Sequence, residues 1–214
     1  MKETEKAKAG YLYDANNDEE IIKKRLICAD LCYEYNNCRP SELDKQKEIM
    51  RKILGKNGHI EGDFLITQPF HCDYGNISIG NNFYTNYNCS ILDGAMVTFG
   101  DNVFIAPNCV FSTAGHALDA VQRAEGLEIA WPITIGNNVW IGANVSVLPG
   151  VTIGDGTVIG AGSVVNKDIP SGVVVAGNPC KVIRKITEDD CIEYQNRILN
   201  SQPFTYIMLN KIRS

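Results

Sequence analysis

A chain of 214 residues, 44% hydrophobic and 21% charged, has enough apolar material for one sizeable core and too much to remain disordered. Its net charge of −5 offers no basic face to a phosphate backbone, which argues against nucleic acid, and no basic amphipathic stretch suggests a membrane surface. No run reaches the length of a membrane span and no apolar segment follows MKETEKAKAG, so the expected compartment is the cytoplasm.

In chain order, residues 1–58 read as a helical N-terminal cap. DEEIIKKRLICADLCYEY (18–35) sets Ile22, Leu26 and Ala29 at helical spacing, and a second helix opens near Ser41 and stops at Leu54-Gly55. Cys28, Cys32 and Cys38 form no CxxC pair and have no neighbouring histidine. With no secretory signal, the eight cysteines read as reduced, buried small hydrophobes, and no metal is expected.

From residue 59 to 186 the chain keeps a six-residue metre. Ile135, Ile141, Val147, Ile153, Ile159 and Val165 stand six apart, and glycines 136, 142, 154 and 160 follow four of them. A looser run gives Ile79, Thr85 and Ile91, then Phe99, Ile105 and Phe111, with the phase slipping by two at LDGAM. The period matches neither an α-helix nor an alternating strand. It matches short strands that turn a corner every six residues with one aliphatic per side inward. The adjacent glycine suits a corner of unusual φ or of close backbone approach. Hexapeptide repeats predict a parallel β-helix whose three-sided coil takes about eighteen residues, so residues 75–175 supply roughly five coils. The segment 112–132 leaves the metre and carries His116, one of three histidines. Thr187-Glu-Asp-Asp190 resembles a capping box that opens a C-terminal helix to about Asn200 within the tail 187–214.

These stretches resemble the maltose/galactoside O-acetyltransferases, a family of hexapeptide-repeat acyltransferases, over about residues 7–187. AGYLYDAN is similar to the family's N-terminal entry. ISIGNNFYTNYNCSILD, DNVFIAPNCVFSTAGH, WPITIGNNVWIGANVSVLPGVTIGDGTVIGAGSVVNKDIP and VVAGNPCKVIRKI are similar to successive parts of its catalytic domain. The resemblance implies a left-handed coil, against the usual crossover hand. It also implies a homotrimer with active sites between subunits and acetyl transfer from acetyl-CoA to a sugar hydroxyl.

A hydroxyl needs a base to attack a thioester near neutral pH, and histidine suits that task. FSTAGH matches the family's catalytic position at His116, in direct transfer without an acyl-enzyme. On the acceptor side, Asn86 and Asp93 read either as sugar ligands or as corner residues favoured by turns. Tyr84 reads as a stacking or core aromatic, Asp14 as closing the site from the cap, and Glu128 as orienting His116. Cys72 falls where some relatives carry a serine, and its weaker donor puts the acceptor in question. For the coenzyme, the resemblance implies an oxyanion donor on the backbone of Ala143 beside Gly142 and a pantetheine wall at Trp140. It places the thioester groove at Ala161 and phosphate contacts at Asn166, Lys167, Lys181 and Arg184. Lys181 keeps the charge of an arginine seen in relatives but not its bidentate fork. Other acceptors, such as an amino sugar, an antibiotic alcohol or an amino acid, stay open. A zinc carbonic anhydrase would need His59, His71 and His116 to converge on one ion. A purely structural β-helix would leave His116 and the cations idle.

Overall fold

The computed structural model describes residues 1–55 and 58–191. Short parallel strands wind into a three-faced solenoid, and each face is a stack of equivalent strands from successive coils. The first face stacks Ile77–Ile79, Val97–Phe99, Ile133–Ile135 and Thr152–Ile153. The second stacks Phe64–Ile66, Phe83–Thr85, Phe104–Ile105, Trp140–Ile141, Val158–Ile159 and Val173–Ala176, and the antiparallel strand Lys181–Lys185 closes it. The third stacks Phe70–Cys72, Cys89–Leu92, Val110–Ser112, Ser146–Val147 and Val164–Val165.

Register explains the metre. Ile79, Phe99, Ile135 and Ile153 are direct neighbours up the first face, and Ile91, Phe111, Val147 and Val165 up the third. Every metre position is buried, and Phe99 packs 5.1 Å from both Phe83 and Phe111, ring centre to ring centre. Each side turns in two residues rather than the one expected: Val139 and Ile141, Val145 and Val147, and Val151 and Ile153 are all buried. A strand alternates with period two, so residues i and i+2 share the inward face.

The corners divide their labour differently from the sequence reading. The glycines after the metre positions serve close approach: a Cβ on Gly142 would sit 2.7 Å from the Ala161 nitrogen. Positive φ falls instead three positions after a metre residue, to asparagines 82, 88, 102, 108, 138 and 144 and to glycines 150, 156 and 162. Asparagine tolerates this region, and its short amide bonds locally. Stacked corners link these amides: Asn82 Nδ2 donates to Asn102 Oδ1 (2.9 Å), and Asn102 Nδ2 to Asn138 Oδ1 (3.0 Å).

The N-terminal part comprises α1 (Glu3–Lys8), β1 (Tyr13–Asp14), α2 (Glu19–Asn36) and α3 (Leu43–Leu54). α3 stops at the expected Leu54-Gly55, although its N-cap is Glu42 rather than Ser41. Helices α2 and α3 share one core with the first coils, through Cys28, Cys32, Tyr35, Ile49, Met50 and Phe70. The buried stripe of α2 is Ile21, Cys28, Cys32 and Tyr35, not Ile22, Leu26 and Ala29; Leu26 is 61% exposed. Small thiols let the helix axis lie close over the first coil, where larger aliphatics would hold it off.

At the other end Thr187 N–H donates to Asp190 at 3.0 Å and Glu188–Asp190 form one 3₁₀ turn. The helix expected to run on to Asn200 lies outside the described residues.

Candidate active site

Segment 113–132 is an ordered hairpin rather than an open loop. Ala114–His116 pairs antiparallel with Leu127–Ala130, a short helix α4 (Ala120–Ala124) forms its tip, and β1 adds a third strand. Register places Tyr13, Glu128 and His116 in one row across the three strands. Directly opposed antiparallel residues carry their side chains on one face, with Cβ atoms about 4.5–5.5 Å apart. Tyr13 Oη donates to Glu128 Oε2 at 3.2 Å, and burial first, then Glu128, pushes the phenol well above its ordinary pKa. The hydroxyl therefore stays a donor. His116 is solvent-exposed at the free side of the row.

The hairpin springs from the edge where the third face turns into the first, and the same edge carries Asp73 and Asp93. Asp93 is fully buried: Oδ1 accepts from the amides of Asp73 (2.7 Å) and Tyr74 (3.0 Å), and Oδ2 from Asn76 (2.6 Å). Burial outweighs those three amides and lifts its pKa to about 6. This carboxylate ties the turn of residues 73–76, the corner reading of the sequence. It is also what absorbs the two extra residues at LDGAM. Asp14 likewise serves its own turn, accepting from Asn16 N, Asn17 N and Asn17 Nδ2.

Cys72 corrects the sequence reading most directly. It alternates with exposed His71 and faces inward like Phe70, its sulfur against Cys28 and Cys32. The residue presented at the edge is its neighbour Asp73, whose carboxyl is raised by burial and lies in the field of Arg25 and Glu128. Arg25 donates from Nε and Nη2 to Tyr74 Oη (3.1 and 2.6 Å) and from Nη2 to the Ala15 carbonyl (3.0 Å). Asp73, Tyr13, Arg25 and Tyr74 were missed. The signal for Asp73 was the strict alternation of FHC, which places the following residue at the corner.

The donor-side residues sit on another edge, between the second and third faces. Asn86, expected on the acceptor side, lies on this edge too, where its Oδ1 accepts from Tyr87 N (2.8 Å), and Trp140 precedes the corner Gly142-Ala143-Asn144. At the edge between the first and second faces each equivalent amide is capped by a side chain from the next coil: Asn81 N by Asp101 (2.7 Å), Asp101 N by Asn137 (2.8 Å), Asn137 N by Asp155 (2.7 Å). Above Ala143 the next coil offers Ala161, which has no side-chain acceptor. Ala161 is exposed, and the amide of Ala143 has no hydrogen-bond acceptor among the described residues. Tyr84 does not join either group. It lies on the outward row of the second face, registered between Leu65 and Phe104.

Asn166 and Lys167 are exposed on the edge between third and first faces, and Lys181 beside the edge of second and third. Arg184 is held otherwise: its guanidinium forms a bidentate pair with Asp190 (2.7 and 2.8 Å), which raises its pKa. The three histidines do not converge. His59 lies 3.4 Å from Glu61, His71 is on the third face and His116 on the hairpin.

Two families match segments of the chain: the maltose acetyltransferase hexapeptide capping motif over residues 6–58, and the bacterial transferase hexapeptide of six repeats over residues 132–167. Galactoside O-acetyltransferase of Escherichia coli is 47% identical over 194 residues, covering 89% of this chain and 92% of its own. The chain belongs to the maltose/galactoside O-acetyltransferase family. The enzyme is also 54% identical to a putative acetyltransferase of Saccharomyces cerevisiae over 182 residues, 85% of this chain and 91% of that one. Among solved structures, a galactoside acetyltransferase in complex with coenzyme A superimposes with a TM-score of 0.85 at 45% identity, covering 91% of this chain and 96% of its own. Mirror-image coils do not superimpose, so the β-helix of this acetyltransferase has that relative's hand, the left-handed one that the resemblance implies. No described helix is long and apolar enough to cross a membrane.

Proposed function

We propose that this acetyltransferase moves an acetyl group from acetyl-CoA directly to a hydroxyl of a sugar or glycoside of the galactoside or maltose type. His116 is the general base. The observation that carries the reading is the row Tyr13–Glu128–His116: a carboxylate anchored on one oxygen by a phenol stands opposite an exposed imidazole. Its second oxygen can hold Nδ1–H, leaving Nε2 to take the acceptor's proton. The Ala143 amide suits the charge that develops on the thioester oxygen. Asp73, Glu128 and Arg25 offer acceptors and a donor for several hydroxyls at once. Of the three cations expected at the coenzyme phosphates, Lys167 and Lys181 form no ion pair with described residues and suit that role. Arg184 would have to leave Asp190 to join them. The galactoside acetyltransferase that superimposes on this chain binds coenzyme A, which supports the donor.

The base and the amide of Ala143 lie on different edges, separated by the third face. A side of the coil spans roughly 15 Å at about 3.3 Å per residue. One chain therefore holds half of a site at each edge, and a complete site needs two chains edge to edge. An apolar row suits that contact: Leu65, Tyr84, Phe104, Trp140, Val158 and Val174 stack outward on the second face. The first face instead shows Ser78, Thr98, Thr134 and Thr152. We read a homotrimer. All eight cysteines are free thiols, which fits a reducing compartment such as the cytoplasm.

The test is coenzyme A release from acetyl-CoA with galactosides, maltose, glucose, amino sugars and an antibiotic alcohol. His116→Ala should cut acceptor-dependent kcat/KM by about 10²–10⁴ without weakening coenzyme binding. Equal rates in both proteins would remove His116 from the chemistry. A preference for a non-sugar acceptor would reassign the pocket lined by Asp73.

A further inference from the structure

The cluster of Cys28, Cys32 and Cys72 plays no part in acetyl transfer, and its geometry calls for a reading of its own. Cys28 and Cys32 stand one turn apart on α2, and Cys72 enters from the third face of the first coil. The Cys72 sulfur lies 3.5 Å from that of Cys28 and 3.9 Å from that of Cys32, and all three lie within 4.8 Å of one another. All three side chains are buried, at 4%, 3% and 8% exposure. Sides of these lengths put the point equidistant from the three sulfurs about 2.1–2.4 Å from each, which brackets a metal–thiolate bond of about 2.3 Å.

We propose that Cys28, Cys32 and Cys72 form a buried three-thiolate site for a soft monovalent d¹⁰ ion of the Cu(I) class. The donor set selects the ion. Thiolates favour soft metals, and zinc in a closed structural site asks for four ligands. Among the described residues no fourth histidine, cysteine or carboxylate joins the three. Binding would release the thiol protons to solvent with no change of oxidation state. Since Asp73 follows Cys72 directly, the ion would pin α2 to the turn that shapes the acceptor side. The cap helix and the site would then share one fastener.

Anaerobic titration of the full-length, reduced protein with Cu(I), in glutathione and against a bicinchoninate-type chelator, tests this without reference to acetyl transfer. Wild type should retain one equivalent. Cys28→Ala, Cys32→Ala and Cys72→Ala should each weaken it by more than the 10–100-fold that an outer-shell partner is worth. Cys191→Ser, which alters an exposed thiol, should leave it unchanged. X-ray absorption on loaded wild type decides the matter even where a core variant does not fold: three sulfur neighbours near 2.3 Å support the site. A two-sulfur shell, loss of the ion in Cys191→Ser, or no retention by wild type would each overturn it.

Discussion

At the residue scale, the chain separates groups that hold the site from groups that face it. Asp93 is of the first kind, because its two oxygens satisfy three amides in a turn with no water to replace them. Asp93→Asn keeps the shape but puts an amide N–H against backbone donors. It should cost about 2–4 kcal/mol in urea unfolding and most of the activity through the displaced Asp73. The carboxyl also predicts a pH signature. Its folded pKa of about 6 exceeds the unfolded value near 3.9, so between those values the native state binds more protons than the unfolded chain. Its contribution should therefore decline as pH rises from about 4 to 6 and stay level above, by at most about 3 kcal/mol. Urea midpoints of wild type and Asp93→Asn across that window should converge with rising pH; parallel curves would refute the assignment. The sequence singled out Asp93 and His116 but attached the acceptor side to Cys72. One position in a three-residue strand decides whether a side chain meets the core or a ligand, and only the strand's register tells which.

At the element scale, the solenoid rests on corners as much as on strands. Asn102 sits at φ 55° and bonds to the asparagines of both neighbouring coils. Asn102→Ala should lose about 1–3 kcal/mol through left-handed strain and the broken ladder. Asn102→Gly removes the same bonds but not the permitted φ, so it should melt clearly above the alanine variant in calorimetry; equal melting would remove the strain argument. The hexapeptide metre was legible because six repeats impose one constraint again and again. The buried face of α2 was not, because hydrophobicity ranks Leu26 above the cysteines while the crowded end of a coil selects small side chains. The hairpin was legible as an interruption only. Its order comes from β1, about a hundred residues earlier, through Asn16 Nδ2 donating to the Gly126 carbonyl at 2.9 Å and Asn17 Nδ2 donating to the Glu125 carbonyl at 3.3 Å.

At the scale of the whole molecule, the proposed function makes association a requirement of the chemistry, because it sets its two half-sites on two edges. Phe104→Glu, placing a charge in the middle of the outward apolar row, should yield a folded but smaller species in sedimentation and little activity. Mixed assemblies sharpen the test. His116→Ala chains co-assembled with chains altered on the other edge, such as Lys181→Ala, should regain activity where one intact half meets the other. No recovery in verified mixed assemblies would place both halves within one chain.

The amino-acid sequence by itself determined the coil, its six-residue period, the break that carries His116 and the family, because each rests on local spacing repeated along the chain. The tertiary structure decided which neighbour of a pair faces out, Asp73 rather than Cys72, and which residues oppose His116. It also gathered three distant thiols into one cluster and set His116 and the Ala143 amide on two different edges. Those outcomes depend on strand register and on packing between segments a hundred residues apart, where the free energy of burial, not local spacing, chooses the partner.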